Sequence, residues 1–426
     1  MPLQTGSATA NSEYDAVLKD FYEGPVREHI ENKVTILRLT EKSKRMWTGR
    51  QVRWPVHLSR NEGVGARGEN ANLPTAGEQG YVESNIRAKF LYGRIELTGP
   101  VMAASRGDKG AFASALKQEV SGMRRDLRND LNRQVWGVPI LSGSDAGKTG
   151  VLARVATSNA ANPNVTLLAV NDSFSDAPGT RYLKKNMLVA IGTPTELEGT
   201  TSVSGTIGNV VSRTVISMSA AVTIVTDDFV VRGTSTENSF DNEITGLSYI
   251  VHDSEDVDLQ TIDTSTNTEF KAHRETNAVD RDLSLELMQV AIDAADEKGG
   301  EEPTLIMGHQ SMRREYINLL TSDVRYAPEQ LKGGFQTLTY AGGMQPIQVQ
   351  FDKHAPYGKL YFIHLPDIKQ YVMKDWGWAD DDGAVLSRKT DKDSWEAFMC
   401  WYGNLGVERR NTHAVIENLN HSNLIF

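Results

Sequence analysis

The sequence predicts an α+β chain with an N-terminal arm, an extended β-hairpin, one long spine helix, a β-rich segment and an α/β lobe. Three observations predict it. Residues 49–59 (GRQVRWPVHLS) and 81–99 (YVESNIRAKFLYGRIELTG) read as extended strands on either side of a Gly- and Asn-rich stretch. Residues 109–136 carry a single narrow apolar stripe at helical spacing. After residue 280, short strand and helix patterns alternate.

The chain has 426 residues, more than one hydrophobic core usually serves, so two or more lobes are expected. Residues 1–48 are polar, with one helix expected over Tyr14–Glu23 behind Ser12, and read as an arm. Two long strands with few apolar positions, joined by a flexible tip, are not stable alone, so the hairpin over 49–100 must lie against something. In the helix, Phe112, Leu116, Val120, Met123, Leu127, Leu131 and Val135 share one face, and Gly137 and Pro139 end it. At 1.5 Å per residue it is about 40 Å long. So thin a stripe suits a helix that braces an extended sheet or a neighbouring subunit. Residues 140–180 read as loop-rich. From 181 to about 265 the text is β-patterned, GLSYIVHD and LQTID included, and suggests a small inserted subdomain. Residues 266–393 form the α/β lobe. Its helix, DLSLELMQVAIDAADEKGG, is expected to turn Leu283, Leu287, Val290, Ala291 and Ala294 inward and to stop at Gly299–Gly300. Residues 394–426 read as returning strands.

Composition narrows the function classes. The hydrophobic share is 39%, the net charge is −10, and no apolar run approaches the length of a membrane span. A dedicated nucleic-acid binder carries a basic face. The densest basic runs here, EKSKR at 41–45 and RRDLRNDLNR at 124–133, are short or interleaved with acids. The N-terminus has no basic start and apolar core of a secretory signal. The one cysteine, Cys400, lies in WEAFMCWYGNL and reads as a packed thiol.

The chemical motifs fail on context. Gly63, Gly65 and Gly68 have the G-x-G-x-x-G spacing of a dinucleotide turn, but Pro74, Gly77 and Gly80 forbid the helix whose N-terminus would hold a pyrophosphate. SGSDAGKTG at 142–150 ends like a P-loop at Gly147-Lys148-Thr149 but lacks the first glycine at its required spacing. WADDDG at 378–383 and DTSTNTE at 263–269 do not match a calcium loop, and no histidine has zinc-ligand spacing. No catalytic, cofactor or metal site is expected, and the chain is not read as an enzyme.

The order of parts resembles the Hong Kong 97-type fold of major capsid proteins of tailed double-stranded DNA phages (Caudoviricetes). The likeness is carried by YGRIELTGPVMAAS running into GAFASALKQEVSGMRRDLRNDLNRQVWG, by the lobe text DLSLELMQVAIDAADEKGGEEPTLIMGHQSMRREYINLL, and by GNLGVERRNTHAVIENL. It implies a peripheral domain from the spine helix (101–180) and the returning strands (394–426), and an axial domain mainly at 266–393. It implies a structural shell protein that self-assembles into pentamers and hexamers around DNA it does not bind sequence-specifically. A portal and a decoration protein are implied partners, and the location is the virion, assembled in the host cytoplasm. The tip at 63–80 then reaches over a neighbour, its glycines acting as hinges. Glu62, Arg67, Glu69 and Glu78 on the tip, and Arg409 and Arg410 on the returning strand, are the candidate inter-subunit contacts. Residues 49–88 hold no lysine, so no isopeptide crosslink is expected at the tip. Only about 48 residues precede the hairpin, so any scaffold is expected to be a separate protein. An encapsulin shell of the same fold is the near alternative, and a nucleotide-dependent enzyme the distant one.

Overall fold

A computed structural model describes residues 35–100, 109–140, 145–157, 159–168, 179–252, 258–322, 338–340, 342–343, 345–379 and 387–420. The expected helix at Tyr14–Glu23, and residues 380–383 of WADDDG, lie outside them. A short helix α1 (Thr35–Leu39) and strand β1 (Glu41–Lys42) lead to the hairpin β2 (Gln51–Ser59) and β3 (Gly80–Arg87). Then come β4 (Lys89–Thr98) and the long helix α2 (Lys109–Val135). The β-rich part contains β5 (Val151–Val155), β6 (Asn159–Leu168), β7 (Leu188–Gly192), α3 (Pro194–Glu198), β8 (Val203–Val210), β9 (Val215–Ile224), β10 (Phe229–Arg232) and α4 (Leu247–Ile250). The lobe adds β11 (His273–Glu275), α5 (Leu285–Gly299), β12 (Leu305–Gly308), α6 (Gln310–Ser322), β13 (Leu338–Tyr340), β14 (Ile347–Phe351) and β15 (Leu360–Ile363). Last are β16 (Ile368–Trp378), β17 (Ser387–Arg388), β18 (Ser394–Val407) and β19 (Ala414–Ile416). The chain divides into two compact units. Of the described residues, the first takes 91–100, 109–131, 374–379 and 387–401, and the second takes the rest.

In the first unit, β4 follows a strict two-residue period. Leu91, Gly93, Ile95 and Leu97 turn inward, while Tyr92, Arg94 and Glu96 face solvent. Leu127 of α2 sits directly on Gly93, where an added Cβ would lie 2.6 Å from the leucine Cδ1. Only glycine admits so close a helix–strand approach. The helix thus braces a strand, as its thin stripe predicts. Arg124 reaches over the Trp378 ring at 6.0 Å, and Trp376 stacks on Trp401 with centroids 6.1 Å apart.

In the second unit, β10, β5, β6, β9, β8 and β7 close into a six-stranded barrel spanning residues 151–232. Val189 and Ile191 of β7 point into its core with Val230, Ile207 and Ile216. Their in-between neighbours Ala190 and Val231 face out, against Leu197 of α3 and Phe240. The barrel begins earlier than the β-patterned text. Its first two strands lie in the region read as loop-rich, because β6 carries Pro163 within a run of register shifts at Asn159, Asn162 and Asn164. GLSYIVHD, read as extended, contains helix α4 (Leu247–Ile250) instead. LQTID is no strand either: Leu259 and Ile262 bridge a tight turn.

The lobe is a six-stranded mixed sheet, β11-β19-β15-β12-β14-β13, with α5 and α6 contributing to its core. The buried face of α5 is Met288, Ala291, Ile292 and Ala295, whereas Val290 is exposed. The apolar face is therefore rotated from the predicted one toward the 288/291/292/295 set; 287/290/291/294 has the same i, i+3, i+4, i+7 spacing, so spacing alone does not choose between faces one residue apart. Ser284 caps the helix by accepting from the Leu287 N–H at 3.1 Å, and Gly300 ends it in the left-handed conformation (φ 70°). β19 belongs to this sheet, pairing with β11 and β15. The last two strands therefore do not form a hairpin of their own.

Candidate assembly surfaces

The hairpin is where the sequence most requires an explanation. β2 and β3 pair antiparallel from Gln51↔Arg87 to Ser59↔Gly80 and form a two-stranded sheet. At the root, Val52, Trp54 and Val56 alternate inward while Arg53, Pro55 and His57 face out. Trp54 stacks on Tyr371 almost in parallel (5.2 Å, 5°), and the Arg45 guanidinium lies 5.0 Å from the Trp54 ring. Ile86 packs where Gly406 leaves room, and a Cβ at 406 would collide with it.

The other side of the root is held by a turn that nothing in the sequence announces. Gln260 and Thr261 are both left-handed (φ 56° and 66°), although neither is Gly, Asn or Asp. Such residues cost about 1–2 kcal/mol each. In this position Gln260 accepts the Asn85 N–H on its carbonyl (2.9 Å) and the Ser84 hydroxyl on its side chain (2.8 Å). The strain is spent on gripping β3.

Beyond the root the strands emerge into solvent. Tyr81 is 62% exposed, Val64 75% and Leu73 87%. Residues 60–79 contain no helix, so the G-x-G-x-x-G spacing does not make a nucleotide turn. Gly63, Gly65 and Gly68 avoid positive φ; the left-handed residue of the tip is Asn70 (φ 63°). What two glycines provide is proximity. Asn61 donates to the Gly77 carbonyl and accepts from the Gly63 N–H, both at 2.6 Å, pinching the neck of the loop. A Cβ at Gly63 or Gly77 would lie 2.8 or 2.7 Å from Asn61 Oδ1.

Of the six expected contact residues, Glu62, Arg67, Glu69 and Glu78 all sit on this exposed tip. Glu62 faces Arg60 at 3.4 Å, and Arg67 donates to the Ala66 carbonyl at 3.0 Å. The Arg409–Arg410 pair divides. Arg409 is partly exposed and donates to Asp367 at 3.0 Å. Arg410 is fully buried and donates to the carbonyls of Ile250 (2.8 Å) and Tyr249 (3.1 Å) at the end of α4. Its role is internal to the chain, which corrects its place among the expected contacts: its guanidinium is taken up in the interior by two backbone carbonyls.

Asp367 anchors a buried polar knot that the sequence hides. It accepts from His364 (2.8 Å), Thr412 (2.8 Å) and Arg409. Burial alone would raise its pKa, but these donors hold it down to about 2. His413, buried beside them, is kept neutral chiefly by desolvation, at about 3. Glu417 is held to about 2 against its own burial by Lys359 (2.6 Å) and Arg274 (2.8 Å).

On the outward face of β4 and its sheet partners in the first unit, charges form a lattice. Arg94 pairs with Glu396, Lys389 with Glu96 at 2.6 Å, and Ser394 donates to Glu96 at 2.9 Å. The Lys389 hydrogen bond, then that of Ser394, lowers the Glu96 pKa. These groups hold each other in register on an open surface.

The remaining motifs are structural. Lys148 bridges Asp145 (2.7 Å) and Glu198 (2.5 Å), and a strand, β5, follows it where a P-loop needs a helix. Burial opposes its charge, but hydrogen bonds to these two acids raise its pKa above the usual lysine value. Asp263 accepts from Ser265 and Thr266, whose hydroxyls hold it to about 2, so its lone pairs serve a turn. Cys400 is buried. Among the described residues, no group of three or more His, Cys, Asp or Glu is placed to hold a metal ion, and no helix is long and apolar enough to cross a membrane.

No family model matches the sequence, and no curated protein matches it. Solved structures do match, and the fold is that of a phage capsid chain. A chain of the cyanophage A-1(L) capsid superposes with a TM-score of 0.52 at 11% identity, covering 93% of this chain and 96% of that one. A capsid chain of a native GTA particle aligns over 98% of this chain and 100% of its own, with a TM-score of 0.47 at 10% identity. An encapsulin complex from Synechococcus elongatus aligns over 36% of this chain and 55% of its own, with a TM-score of 0.27 at 12% identity.

Proposed function

We propose that this chain is the major shell subunit of a tailed-phage head, assembling with copies of itself into pentamers and hexamers around double-stranded DNA. The observation that carries the reading is the near end-to-end match to the cyanophage capsid chain, with 93% and 96% of the two chains aligned. The hairpin supports it physically: a rooted, two-stranded arm whose tip exposes Val64, Leu73 and Tyr81 is a surface made to be covered. In Hong Kong 97 terms, the hairpin is the extended loop and α2 the spine of a peripheral domain. The six-stranded lobe is then the axial domain and the barrel an insertion. Glu62, Arg67, Glu69, Glu78 and Arg409 are the charged contacts offered to neighbours. A separate scaffolding protein, a portal and a decoration protein complete the particle, which forms in the host cytoplasm. On this reading the subunit is structural and not an enzyme.

The test removes the tip. Replacing residues 61–78 with a two-residue turn is expected to leave a folded subunit, judged by unchanged thermal unfolding, that no longer forms shells or rings under the electron microscope. Wild-type protein that stays monomeric at high concentration would sink the proposal. Purified particles filled with protein cargo instead of DNA would move it to the encapsulin reading.

A further inference from the structure

Two short basic stretches far apart in sequence, RYLKKN at 181–186 and DKHAPY at 352–357, meet beside the barrel. Aromatic packing brings them together. Tyr182 stacks on His354 (5.8 Å, 21°) and donates its hydroxyl to the His354 carbonyl at 3.0 Å. Arg181 lies over the rings of Tyr182 (5.1 Å) and Tyr357 (4.6 Å) and donates to the Ala355 carbonyl at 2.9 Å. The result gathers cations at one place on a chain whose net charge is −10.

What sets these lysines apart is that they lack a carboxylate partner and lie together, whereas Lys44, Lys298 and Lys392, also unpaired among the described residues, are far apart in the sequence. Lys89, Lys148, Lys359, Lys369 and Lys389 each face a carboxylate of the same chain within 4 Å. Lys184, Lys185 and Lys353 face none among the described residues. Desolvation first, and then the positive fields of Lys184 and Arg181, hold the Lys353 pKa below the usual lysine value against the pull of Asp352. The nearest carboxylate is already engaged, since Asp352 accepts from the His354 N–H (2.8 Å) and from Asn132 (3.4 Å). The positive charge here is left for something outside the subunit.

We propose that Arg181, Lys184, Lys185 and Lys353 form a contact site for the phosphate backbone of duplex DNA. The aromatic rings beneath are committed to packing, so what the cluster offers outward is charge without a large apolar anchor. That suits a polyanion better than a protein partner, whose binding energy concentrates in buried aromatic contacts. Lysine ammonium groups meet phosphates as point charges and read no sequence. Three or four phosphates so contacted give weak binding with a steep salt dependence, a log–log slope of about −3. The choice of duplex DNA rests on the shell reading; the cluster itself does not.

The experiment titrates the full-length chain against a fluorescent duplex of mixed sequence at several salt concentrations. The variant Lys184→Gln/Lys185→Gln/Lys353→Gln is expected to bind at least about ten-fold more weakly at low salt, with the slope reduced by about 3. Lys44→Gln/Lys298→Gln/Lys392→Gln removes the same charge from exposed positions elsewhere and is expected to keep the wild-type slope. Equal behaviour of the two triple variants overturns the site. So does tighter binding of polyglutamate than of DNA at equal charge, which would assign the cluster to a protein partner. Microscopy separates this from the shell reading. Variants that assemble but bind DNA as wild type does sink the site alone, whereas wild-type protein that never assembles sinks the shell reading and leaves the titration standing.

Discussion

The barrel and the hairpin are both antiparallel β-structure, yet they solve the problem of strand edges in opposite ways. Six strands closed on themselves have no free edge, and the core of Val189, Ile191, Ile207, Ile216 and Val230 is complete within the barrel. The hairpin has two strands with no further strand on either edge, and a core only where Trp54, Val52 and Ile86 meet the rest of the second unit. The difference teaches where stability is local and where it is deferred to other surfaces. A closed sheet contains its own partners. An open one must be given them, first by the subunit at its root and then, on the shell reading, by a neighbour at its tip.

Acid offers the largest lever on this contrast. His413 and His252 are held neutral at about 3 chiefly by burial, and Asp367 and Glu417 are held ionised at about 2 by their donors. For the histidines the folded pKa lies below the unfolded 6.5, so below pH 6.5 the unfolded chain binds protons that the fold refuses. Stability then falls by up to about 1.4 kcal/mol per histidine per pH unit until about pH 3. The two carboxylates contribute stability above their unfolded pKa and lose it as pH falls from about 4 toward 2. All four groups surround the lobe or its last strand. In the barrel, Asp228 is shifted the other way: desolvation raises its pKa, so protonation relieves a cost. Hydrogen exchange at pH 4 is expected to accelerate in β15 and β19 before it does in β7 and β9. Loss of protection in the barrel first would contradict this assignment.

Core truncation sharpens the comparison at the next scale. Trp54→Ala removes the ring that stacks on Tyr371 and lies near the Arg45 guanidinium, and is expected to cost about 3–5 kcal/mol; Ile216→Ala, deep in the barrel, about 2–5 kcal/mol. The distinguishing readout is location. Trp54→Ala is expected to expose β2 and β3 to exchange and leave the barrel protected, with the reverse for Ile216→Ala. Equal loss in both regions would mean that the barrel is not energetically self-contained.

How much of this was legible in the sequence follows the same division. The hairpin and the long helix were readable because their apolar positions repeat at simple periods and because glycine and proline mark their ends. The opening strands of the barrel were not, since bulges around Asn162 and Pro163 break the two-residue period that betrays a strand. The Gln260–Thr261 turn was invisible for a different reason. Left-handed backbone at such residues is imposed by tertiary contacts with Ser84 and Asn85, and no local propensity encodes it. Arg410 looked like a surface charge beside Arg409 because a one-dimensional reading does not say which of two neighbours points inward. The tip residues Glu62, Arg67, Glu69 and Glu78 are exposed because a stretch so poor in apolar side chains has no core to enter.

Within the hairpin the neck predicts a smaller effect. Asn61→Ala removes the two hydrogen bonds that join Gly63 to Gly77, and is expected to cost the isolated subunit about 1 kcal/mol or less, since the neck is largely solvated. Its consequence is in order: proteolysis within 60–79 is expected to quicken several-fold while cleavage elsewhere is unchanged. Asn61→Asp keeps the acceptor for the Gly63 N–H and loses the donor to Gly77, so it is expected to fall between the two. If Asn61→Ala leaves the proteolysis rate unchanged, the neck is not what shapes the tip.

The smallest effect on the subunit carries the most weight for the hairpin. Leu73 is 87% exposed, so Leu73→Ser removes almost no contact and is expected to change subunit stability by less than about 0.5 kcal/mol. If the tip is covered by a neighbour, the same substitution takes a large apolar side chain out of an interface repeated at every subunit. Even about 1 kcal/mol per contact, multiplied over a closed shell, raises the protein concentration needed for assembly steeply. The expected result is an unchanged melting temperature beside a several-fold higher critical concentration in light scattering. A barrel residue of similar exposure, Val225 at 62%, supplies the control through Val225→Ser. If both substitutions leave assembly untouched, the tip's exposed leucine is ordinary surface, and the open hairpin must find its partner along its strands instead.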